Sequence, residues 1–438
     1  MVRVVVICVV IAFGWFTAVF GLVRLDVKDA DELVAGSALH LSLQTDDGDG
    51  DAALHMGELC LTANGERCHC FPAPLSSVQP SSLILPASCV RQDGFYLGAE
   101  IAGQVTTAVR VGSPSFDKIT LVLPLTSSDL DRAAVLFYTL SRIPDASFVA
   151  SLIVLTPDHD VDAVSSSSAL RHLAFPVHVH GEAQLLGPLK AGRRHFPYAV
   201  QMALKLLVSS IMRTDHYLTL DADVLLLQPN LLPLLVHQGL ALFQDESRGV
   251  HWAWWQGSAA VLGLASTSVL SPPTPHEPTG DGFSVTPALL STYGALVTLS
   301  LLKRRFYPIG GDAWVSLWVS TLGEAEIEAE AEENVPSFIA EKGVGGVVVW
   351  TEYTLYRLAL DSVGGLFSAL HLSSSSSSNL PQLHCLDVWF AADLPWRWLE
   401  ARALLQSDRL PCIFSVVQST SGANAGALME QVFHFFFS

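Results

Sequence analysis

Short apolar runs that alternate with helix-like stretches constrain the fold of this 438-residue chain more than any other feature. The runs that we interpret as buried strands are residues 119–125, 150–156, 175–180 and 216–220. Helical patterns lie between them, at residues 129–141 and 198–212. Strands that alternate with helices at this spacing are typical of a parallel sheet. The sequence therefore predicts an α/β fold, with a doubly wound, mostly parallel sheet and helices on both faces.

The N-terminal residues contain one long uncharged segment. Residues 4–23 carry no charged side chain, and about 20 apolar residues suffice for a helix to cross the hydrocarbon core of a bilayer. A cleavable signal peptide usually has a shorter apolar core, of roughly 7–15 residues. This length favours an uncleaved anchor, with secretion after signal cleavage as the alternative. We therefore predict a single-pass type II membrane protein that faces the Golgi or ER lumen.

The sequence divides into four predicted regions. Residues 1–24 form a cytoplasmic tail and anchor, 25–115 a stem or accessory region, 116–420 the α/β domain and 421–438 a C-terminal tail. The stem contains Cys60, Cys68, Cys70 and Cys89. In an oxidising lumen these cysteines indicate disulfides whose pairing the sequence leaves open, and a zinc site at residues 68–70 is the alternative.

Two further segments have a predicted local structure. Residues 285–302 are the second apolar stretch of the chain, and their polar residues and Pro287 favour a helix buried in the domain over a membrane span. Residues 373–378 are a serine run, which is typical of a flexible linker.

Charge and composition exclude two classes of protein. The chain has 24 Lys and Arg against 42 Asp and Glu, a formal net charge of −18, whereas a nucleic-acid binder needs a basic surface. Half of the residues are hydrophobic and 15% are charged, which is the opposite of the composition of a disordered chain. We therefore expect a folded protein that does not bind nucleic acid.

One of seven Asp-x-Asp sequences in the chain has a context that indicates chemistry. Asp221 and Asp223 stand between two apolar runs, whereas the other six pairs lie in polar, turn-like surroundings. Burying two carboxylates is costly unless a cation or hydrogen-bond donors compensate them. Side chains two apart on an extended segment point to the same side, so both carboxylates can face one cation. Oxygen ligands at the end of a strand predict a Mg²⁺ or Mn²⁺ site.

A cation at this position can hold a diphosphate and stabilise a departing nucleoside diphosphate, which is the chemistry of a nucleotide-sugar glycosyltransferase. The alternative is a phosphatase that uses the first Asp of the pair as nucleophile. Such a motif normally lies on the first strand of its domain and has Thr or Val two residues after the second Asp. Here the pair follows the fourth predicted strand, and the corresponding residue is Leu225.

The sequence YLTLDADV at residues 217–224 resembles the metal-binding segment of glycosyltransferases with the GT-A fold. More narrowly, the chain is similar to an uncharacterised group of GT-A-like proteins from bacteria and unicellular eukaryotes. The matching segments run in order over residues 119–419: Pro124-Leu125, QMALKL at 201–206, YLTLDADV, GFSVTP at 282–287, WTEYTLY at 350–356 and FSVVQS at 414–419. The sequence departs from that group at residues 199–201, where paired glutamines are expected.

The resemblance implies roles for individual residues. Asp223 would bind the metal directly, and Asp221 would contact the metal through water or the ribose of the donor. Lys205 would lie near the donor phosphates, with a surface lysine at the edge of a helix as the alternative. The loop that contains Pro124 and Thr126 would line the nucleotide pocket. A third metal ligand would come from the C-terminal region, where the candidates are His371, His384 and His434.

The catalytic group is predicted from local sequence. An inverting transferase needs a general base within reach of the acceptor hydroxyl, usually a carboxylate. Glu352, flanked by aromatic residues, is the first candidate, and Asp312, behind two glycines, is the second.

The predicted function is transfer of a sugar from a nucleotide-sugar donor to a glycan, glycoprotein or glycolipid acceptor, with Mn²⁺ or Mg²⁺ as cofactor. A catalytically inactive lectin-like or scaffolding protein of the same fold is the alternative from a different class.

Overall fold

The computed structural model describes residues 118–187, 197–237, 239–249, 251–264, 286–322, 349–363, 366–377, 379–385 and 412–417, together with Phe283, Val388, Trp396, Leu399 and Glu400. Before residue 112 it describes the strands Val2–Ile11, Ala18–Val27, Ala38–Thr45, Glu58–Ala63, Glu66–Pro72, Ser81–Ile84, Phe95–Ile101 and Gln104–Val111.

The N-terminal segment differs from the predicted single helix. The strands Val2–Ile11 and Ala18–Val27 pair in antiparallel fashion over the residues for which the sequence predicts an anchor. Among the residues that the structure describes, no helix is both long and apolar enough to span a bilayer.

From residue 118 onward, strands and helices alternate. The strands are β1 Ile119–Pro124, β2 Val149–Thr156, β3 Val177–Gly181, β4 His216–Thr219, β5 Val224–Leu226, β6 Val236–His237, β7 Leu240–Phe243, β8 Ala288–Ser291, β9 His371–Ser373 and β10 Phe414–Val416. The α-helices are α1 Leu130–Leu140, α2 Val161–Ser165, α3 Ala183–Leu186, α4 Pro197–Leu207, α5 Trp252–Leu262, α6 Thr292–Gly310, α7 Trp314–Val319, α8 Glu352–Asp361 and α9 Leu366–Leu370.

The central sheet has five strands in the order β3-β2-β1-β4-β8. The first three neighbouring pairs are parallel, and β8 is antiparallel to β4. The predicted α/β class and mostly parallel sheet are therefore confirmed. The four predicted strands and two predicted helices are found within a few residues of their expected positions, because the strands are short apolar runs and the helices have the apolar spacing of a helix.

The core lies on both faces of this sheet. Alternate residues of each strand point to opposite faces, so Val122 and Tyr217 pack on one side with α4, α6 and α8, while Leu121 and Leu218 pack on the other side with α1. Because both faces are covered, β1 is buried along its whole length. This explains why the sequence of β1 is a continuous apolar run rather than an alternating pattern.

Two predicted segments have a different structure. Residues 285–302 were predicted as one helix, but Ala288–Ser291 form β8, and α6 begins only at Thr292. The Ser291 side chain accepts a hydrogen bond from the Gly294 amide and so caps α6 at that point. The serine run is not a linker over its first residues: Ser373 ends β9, and Ser374–Ser376 form a 3-10 turn whose Ser375 hydroxyl donates to Asp245 at 2.6 Å.

Two smaller sheets connect the C-terminal part of the domain to its centre. Strand β10 pairs antiparallel with β5, and β9 joins β6 and β7 in a three-stranded sheet. A disulfide links Cys385 to Cys412, immediately before β10. The chain that follows β4 is therefore held by residues from nearly 200 positions later in the sequence.

Candidate active site

The candidate site lies at the carboxyl ends of β1 and β4. Strand β1 is followed along the chain by β2 and β3 on one side of it, whereas β4 lies on its other side. This reversal leaves a crevice between two neighbouring parallel strands, which is where α/β sheets bind their ligands. Residues Leu125–Ser128 follow β1, and Asp221–Asp223 follow β4. The sheet topology therefore brings two of the predicted site segments to one crevice.

Asp221 and Asp223 lie in a turn rather than on an extended strand. The Val224 amide donates to the Asp221 carbonyl over 3.1 Å, which closes the turn, so the two side chains do not follow the alternation of an extended strand. The Asp223 carbonyl accepts from the amide of Val417 at 2.9 Å. The turn is thus held from the side of β10, and both aspartates are half-buried.

Lys205 is buried beneath this turn, on α4. It is 3% exposed, which is contrary to the alternative of a surface lysine. Its ammonium group lies 2.9 Å from Asp221 Oδ1 and 3.0 Å from Glu352 Oε1, and it donates to Thr286 Oγ1 over 2.9 Å. An ammonium group has three N–H donors. All three have partners here, so a contact with a donor phosphate would have to replace one of them.

The charge of Lys205 is maintained by its neighbours. Burial alone would lower the pKa of Lys205, but the carboxylates of Asp221 and Glu352 outweigh burial and raise that pKa well above its usual value. Lys205 is therefore a permanent cation at physiological pH. One cation facing two carboxylates leaves this cluster with a net negative charge.

A set of hydroxyl groups completes the surroundings of Lys205. The Tyr353 hydroxyl lies 2.8 Å from Thr219 Oγ1, 2.7 Å from Thr286 Oγ1 and 3.5 Å from Lys205 Nζ. Burial raises the pKa of Tyr353, so its hydroxyl stays protonated. These contacts join β4, residue 286 and α8 into one buried polar network, whose groups satisfy one another.

The two candidate bases occupy different environments. Glu352 is the first residue of α8, only 2% exposed, and pairs with Lys205. The positive end of the α8 dipole adds to the stabilisation of its negative charge. Asp312 instead lies exposed in the 3-10 turn Gly311–Ala313 and is not part of the network. The structure therefore brings Glu352, Lys205 and Asp221 together, and the catalytic roles of Glu352 and Asp312 stay predictions.

The loop after β1 is ordered by its own hydrogen bonds. The Thr126 hydroxyl donates to Asp129 Oδ2 over 2.6 Å, and the Ser127 amide donates to Asp160 Oδ2 over 2.9 Å. The Ser127 bonds lower the pKa of Asp160. Pro124 ends β1 itself. Pro124 and Thr126 thus border the crevice, and their contact with a nucleotide stays a prediction.

The candidate histidines are placed in other contacts. His371 is buried on β9, where its Nε2 lies 2.7 Å from the Tyr356 hydroxyl and its ring stacks on Phe367. His384 is also buried, and its backbone amide donates to Gln244. His434 lies outside the described residues. Within the part of the chain that the structure describes, no group of three or more His, Cys, Asp or Glu side chains is arranged to hold a metal.

The residues at the turn nevertheless suit a magnesium-like ion that is shared with a substrate. Mg²⁺ is usually held by one or two carboxylates together with waters and substrate phosphates rather than by an all-protein cage. The Asp221 side chain is 27% exposed, so a ligand can reach it while Lys205 and Gln201 hold its Oδ1. Asp221 and Asp223 are therefore the residues that would hold such an ion.

Several residues of the site were not among the predicted site residues. They are Gln201, Thr219, Thr286 and Tyr353, which all contact Asp221, Lys205 or one another. Their positions within the matching segments at 201–206, 217–224, 282–287 and 350–356 were the signal that could have identified them.

Comparison with solved structures finds similarity to glycosyltransferases of the GT-A fold. The chain is similar to mouse xyloside xylosyltransferase 1, with 14% identity, a TM-score of 0.39, and 70% of this chain and 100% of that chain covered. It is similar to the galactosyltransferase LgtC solved with donor and acceptor sugar analogues, with 12% identity, a TM-score of 0.34 and coverage of 72% and 96%. It is also similar to the glycosyltransferase GlyE of Streptococcus pneumoniae, with 12% identity, a TM-score of 0.31, and 72% of this chain and 63% of that chain covered.

These structural likenesses are distant. No curated protein matches the chain. Residues 116–438, which include every element from β1 to β10, match a family of unknown function (DUF6492), and the chain therefore belongs to that family.

Proposed function

We propose that this chain is a GT-A-type glycosyltransferase that moves a sugar from a nucleotide-sugar donor to a glycan, glycoprotein or glycolipid acceptor, with Mn²⁺ or Mg²⁺ as cofactor. The observation that carries the proposal is the position of Asp221 and Asp223, in a turn at the carboxyl end of β4, beside the crevice between β1 and β4. Two carboxylates at such a switch point suit a substrate that brings its own phosphates and cation.

The cation would supply Lewis-acid stabilisation of the diphosphate that leaves with the nucleotide. The protein's own residues position the groups that receive the substrate. Lys205 and Gln201 hold one oxygen of Asp221, which fixes the direction of the carboxylate. Val417 holds the backbone of Asp223. This preorganisation means that little rearrangement of the turn is required when the donor binds.

The first test is a thermal-shift screen of UDP-, GDP- and CMP-linked sugars with and without Mn²⁺. A ligand that binds only the native state raises the melting temperature according to its affinity. We expect one class of nucleotide sugar to stabilise the protein, and to do so only with Mn²⁺ present.

The second test is the variant Asp223→Asn. We expect turnover of the identified nucleotide sugar to fall by about a hundredfold or more, because a lost metal ligand removes several kcal/mol of stabilisation. Asp162→Asn is the matched control, since Asp162 is exposed and belongs to another Asp-x-Asp sequence. Intact turnover in Asp223→Asn would contradict the proposal.

Other outcomes would favour other functions. Glycan binding that needs no metal and survives changes at Asp221 and Asp223 would favour a lectin-like protein. Hydrolysis of a simple phosphate monoester that is lost in Asp221→Ala would favour a phosphatase.

A further inference from the structure

One face of α4 carries three polar side chains whose exposure to solvent increases from Lys205, in the buried network, to Tyr198. Tyr198, Gln201 and Lys205 are spaced at i, i+3 and i+7, so they lie on the same face of the helix. Lys205 and Gln201 both contact Asp221 Oδ1, at 2.9 and 3.0 Å. Tyr198 is therefore the next side chain along the face that serves Asp221, one turn closer to the N-terminus of α4.

The N-terminus of α4 lies at the edge of the sheet where the site is. A helix that connects two parallel strands runs antiparallel to them, and α4 connects β3 to β4. Its first turn is therefore at the carboxyl edge of the sheet, and its later turns pass beneath Asp221. This direction places Tyr198 at the carboxyl edge of the sheet, one turn further out than Gln201, while Lys205 lies deeper, below Asp221.

Tyr198 is an exposed aromatic residue whose hydroxyl group lies within electrostatic reach of the buried network. The residue is 57% exposed, which is unusual for a large aromatic side chain in this domain. Burial, the charges of Glu352 and Asp221 and, in opposition, that of Lys205 together raise the pKa of its hydroxyl to about 12. The ring is therefore open to solvent, on the helix face that leads to the network.

We propose that the ring of Tyr198 stacks on the sugar of the nucleotide-sugar donor, an inference that rests on the proposed function. A pyranose has an apolar C–H face and an edge of hydroxyl groups. Tyr198 offers an accessible aromatic face for the former, and the hydroxyl edge would face the polar side chains of Gln201 and Asp221 beside the same face of α4. A nucleobase would use the aromatic face equally well, and binding of the free nucleoside diphosphate distinguishes the two ligands.

The experiment compares each nucleotide sugar with its own free nucleoside diphosphate. Binding to the full chain is measured in Mn²⁺ by calorimetry, for UDP-sugars beside UDP and GDP-sugars beside GDP. For Tyr198→Ala we expect the Kd of the nucleotide sugar to rise by about tenfold, while that of the nucleoside diphosphate stays within about twofold. For Tyr198→Phe, which keeps the ring, we expect both values to stay within about twofold of wild type.

Tyr138→Ala is the matched control. Tyr138 is a tyrosine near the C-terminal end of α1, at the opposite edge of the sheet, where Arg142 donates to its hydroxyl over 2.7 Å. We expect Tyr138→Ala to bind both ligands as wild type does. This result would show that the weaker binding by Tyr198→Ala does not come simply from removing a tyrosine ring from a helix.

Three results would overturn the inference. Unchanged binding of the nucleotide sugar by Tyr198→Ala would show that the ring contacts nothing. An equal loss for nucleotide sugar and nucleoside diphosphate would place the ring on the nucleotide instead. In both cases wild type still binds with Mn²⁺, so the proposed function stands. Absence of any Mn²⁺-dependent binding by wild type would refute the proposed function together with this inference.

Discussion

The face of α4 that carries Tyr198, Gln201 and Lys205 is buried at one end and exposed to solvent at the other. At the inner end, Lys205 is 3% exposed, and each of its donors has a partner at about hydrogen-bond distance. At the outer end, Tyr198 is 57% exposed. The difference separates two tasks within one helix. The inner end holds the protein's own charged groups in place, and under our proposal the outer end would receive the ligand.

The largest expected effect comes from breaking the inner end. Lys205→Met leaves the buried Glu352 carboxylate and Asp221 without their cation. Removing one partner of a buried ion pair costs about 3–5 kcal/mol. We therefore expect the free energy of unfolding, measured in urea, to fall by about that amount.

Two variants complete this test. Lys118→Met, at an exposed lysine just before β1, should change the free energy of unfolding by less than about 0.5 kcal/mol. The double variant Lys205→Met/Glu352→Gln should recover part of the loss, because the second change removes an uncompensated charge. A Lys205→Met protein within about 1 kcal/mol of wild type would contradict the distinction between the two ends.

The next effect concerns the disulfide that precedes β10. The Cys385–Cys412 disulfide spans a sequence separation of 27 residues and precedes β10, which holds the Asp223 turn through Val417. A loop of this size predicts a loss of about 3–4 kcal/mol in Cys385→Ser/Cys412→Ser. We also expect Mn²⁺-dependent binding of the nucleotide sugar to weaken, measured by calorimetry below the unfolding temperature of the variant.

Wild-type protein treated with dithiothreitol should behave as the double serine variant does. If both forms keep the wild-type melting temperature and affinity, the strand pairing alone holds the Asp223 turn, and the disulfide has no part in the site.

The smallest expected effect is a pH dependence that arises away from both ends of α4. Burial, with the charges of His216 and Arg357, lowers the pKa of His371 well below its usual value. The unfolded chain therefore takes up a proton below about pH 6.5 that the native state does not, so stability falls as the pH falls. The slope from this residue is about 1 kcal/mol per pH unit.

His371→Phe keeps the stacking on Phe367 but removes the titrating group. Between pH 6.5 and pH 5, the free energy of unfolding of this variant should fall less steeply than that of wild type, by about 1 kcal/mol per pH unit. His172→Phe, at an exposed position, is the control. Parallel curves for wild type and His371→Phe would show that His371 is protonated in the native state as well.

The sequence predicts the elements of this domain better than the contacts between them. Strands β1, β2 and β4 were identifiable because each is a short, mostly buried segment, whereas β3 is a half-buried strand at the edge of the sheet. Strand β8 was not, because Ala288–Ser291 adjoin an apolar helix and a four-residue run carries no period of its own. Only its pairing with β4 distinguishes it from the first turn of α6.

The position of Lys205 shows a second limit. Its partners Thr286 and Glu352 come from distant parts of the chain, and local periodicity carries no information about such contacts. Lys205 stands among Met202, Leu206 and Leu207, which was a signal for burial that helix patterning could have used. The role of a cation depends on which carboxylates meet it, and that follows only from the assembled fold.

The pairing of β5 with β10 sets the order in which the protein can be completed during synthesis. Strand β5 follows the Asp221–Asp223 turn directly, but its partner, Phe414–Val416, leaves the ribosome nearly 200 residues later. Contacts of such long range form slowly because a long loop must close first. The turn therefore gains its final support only when the end of the domain has been made, so an unfinished chain carries both aspartates without a finished site.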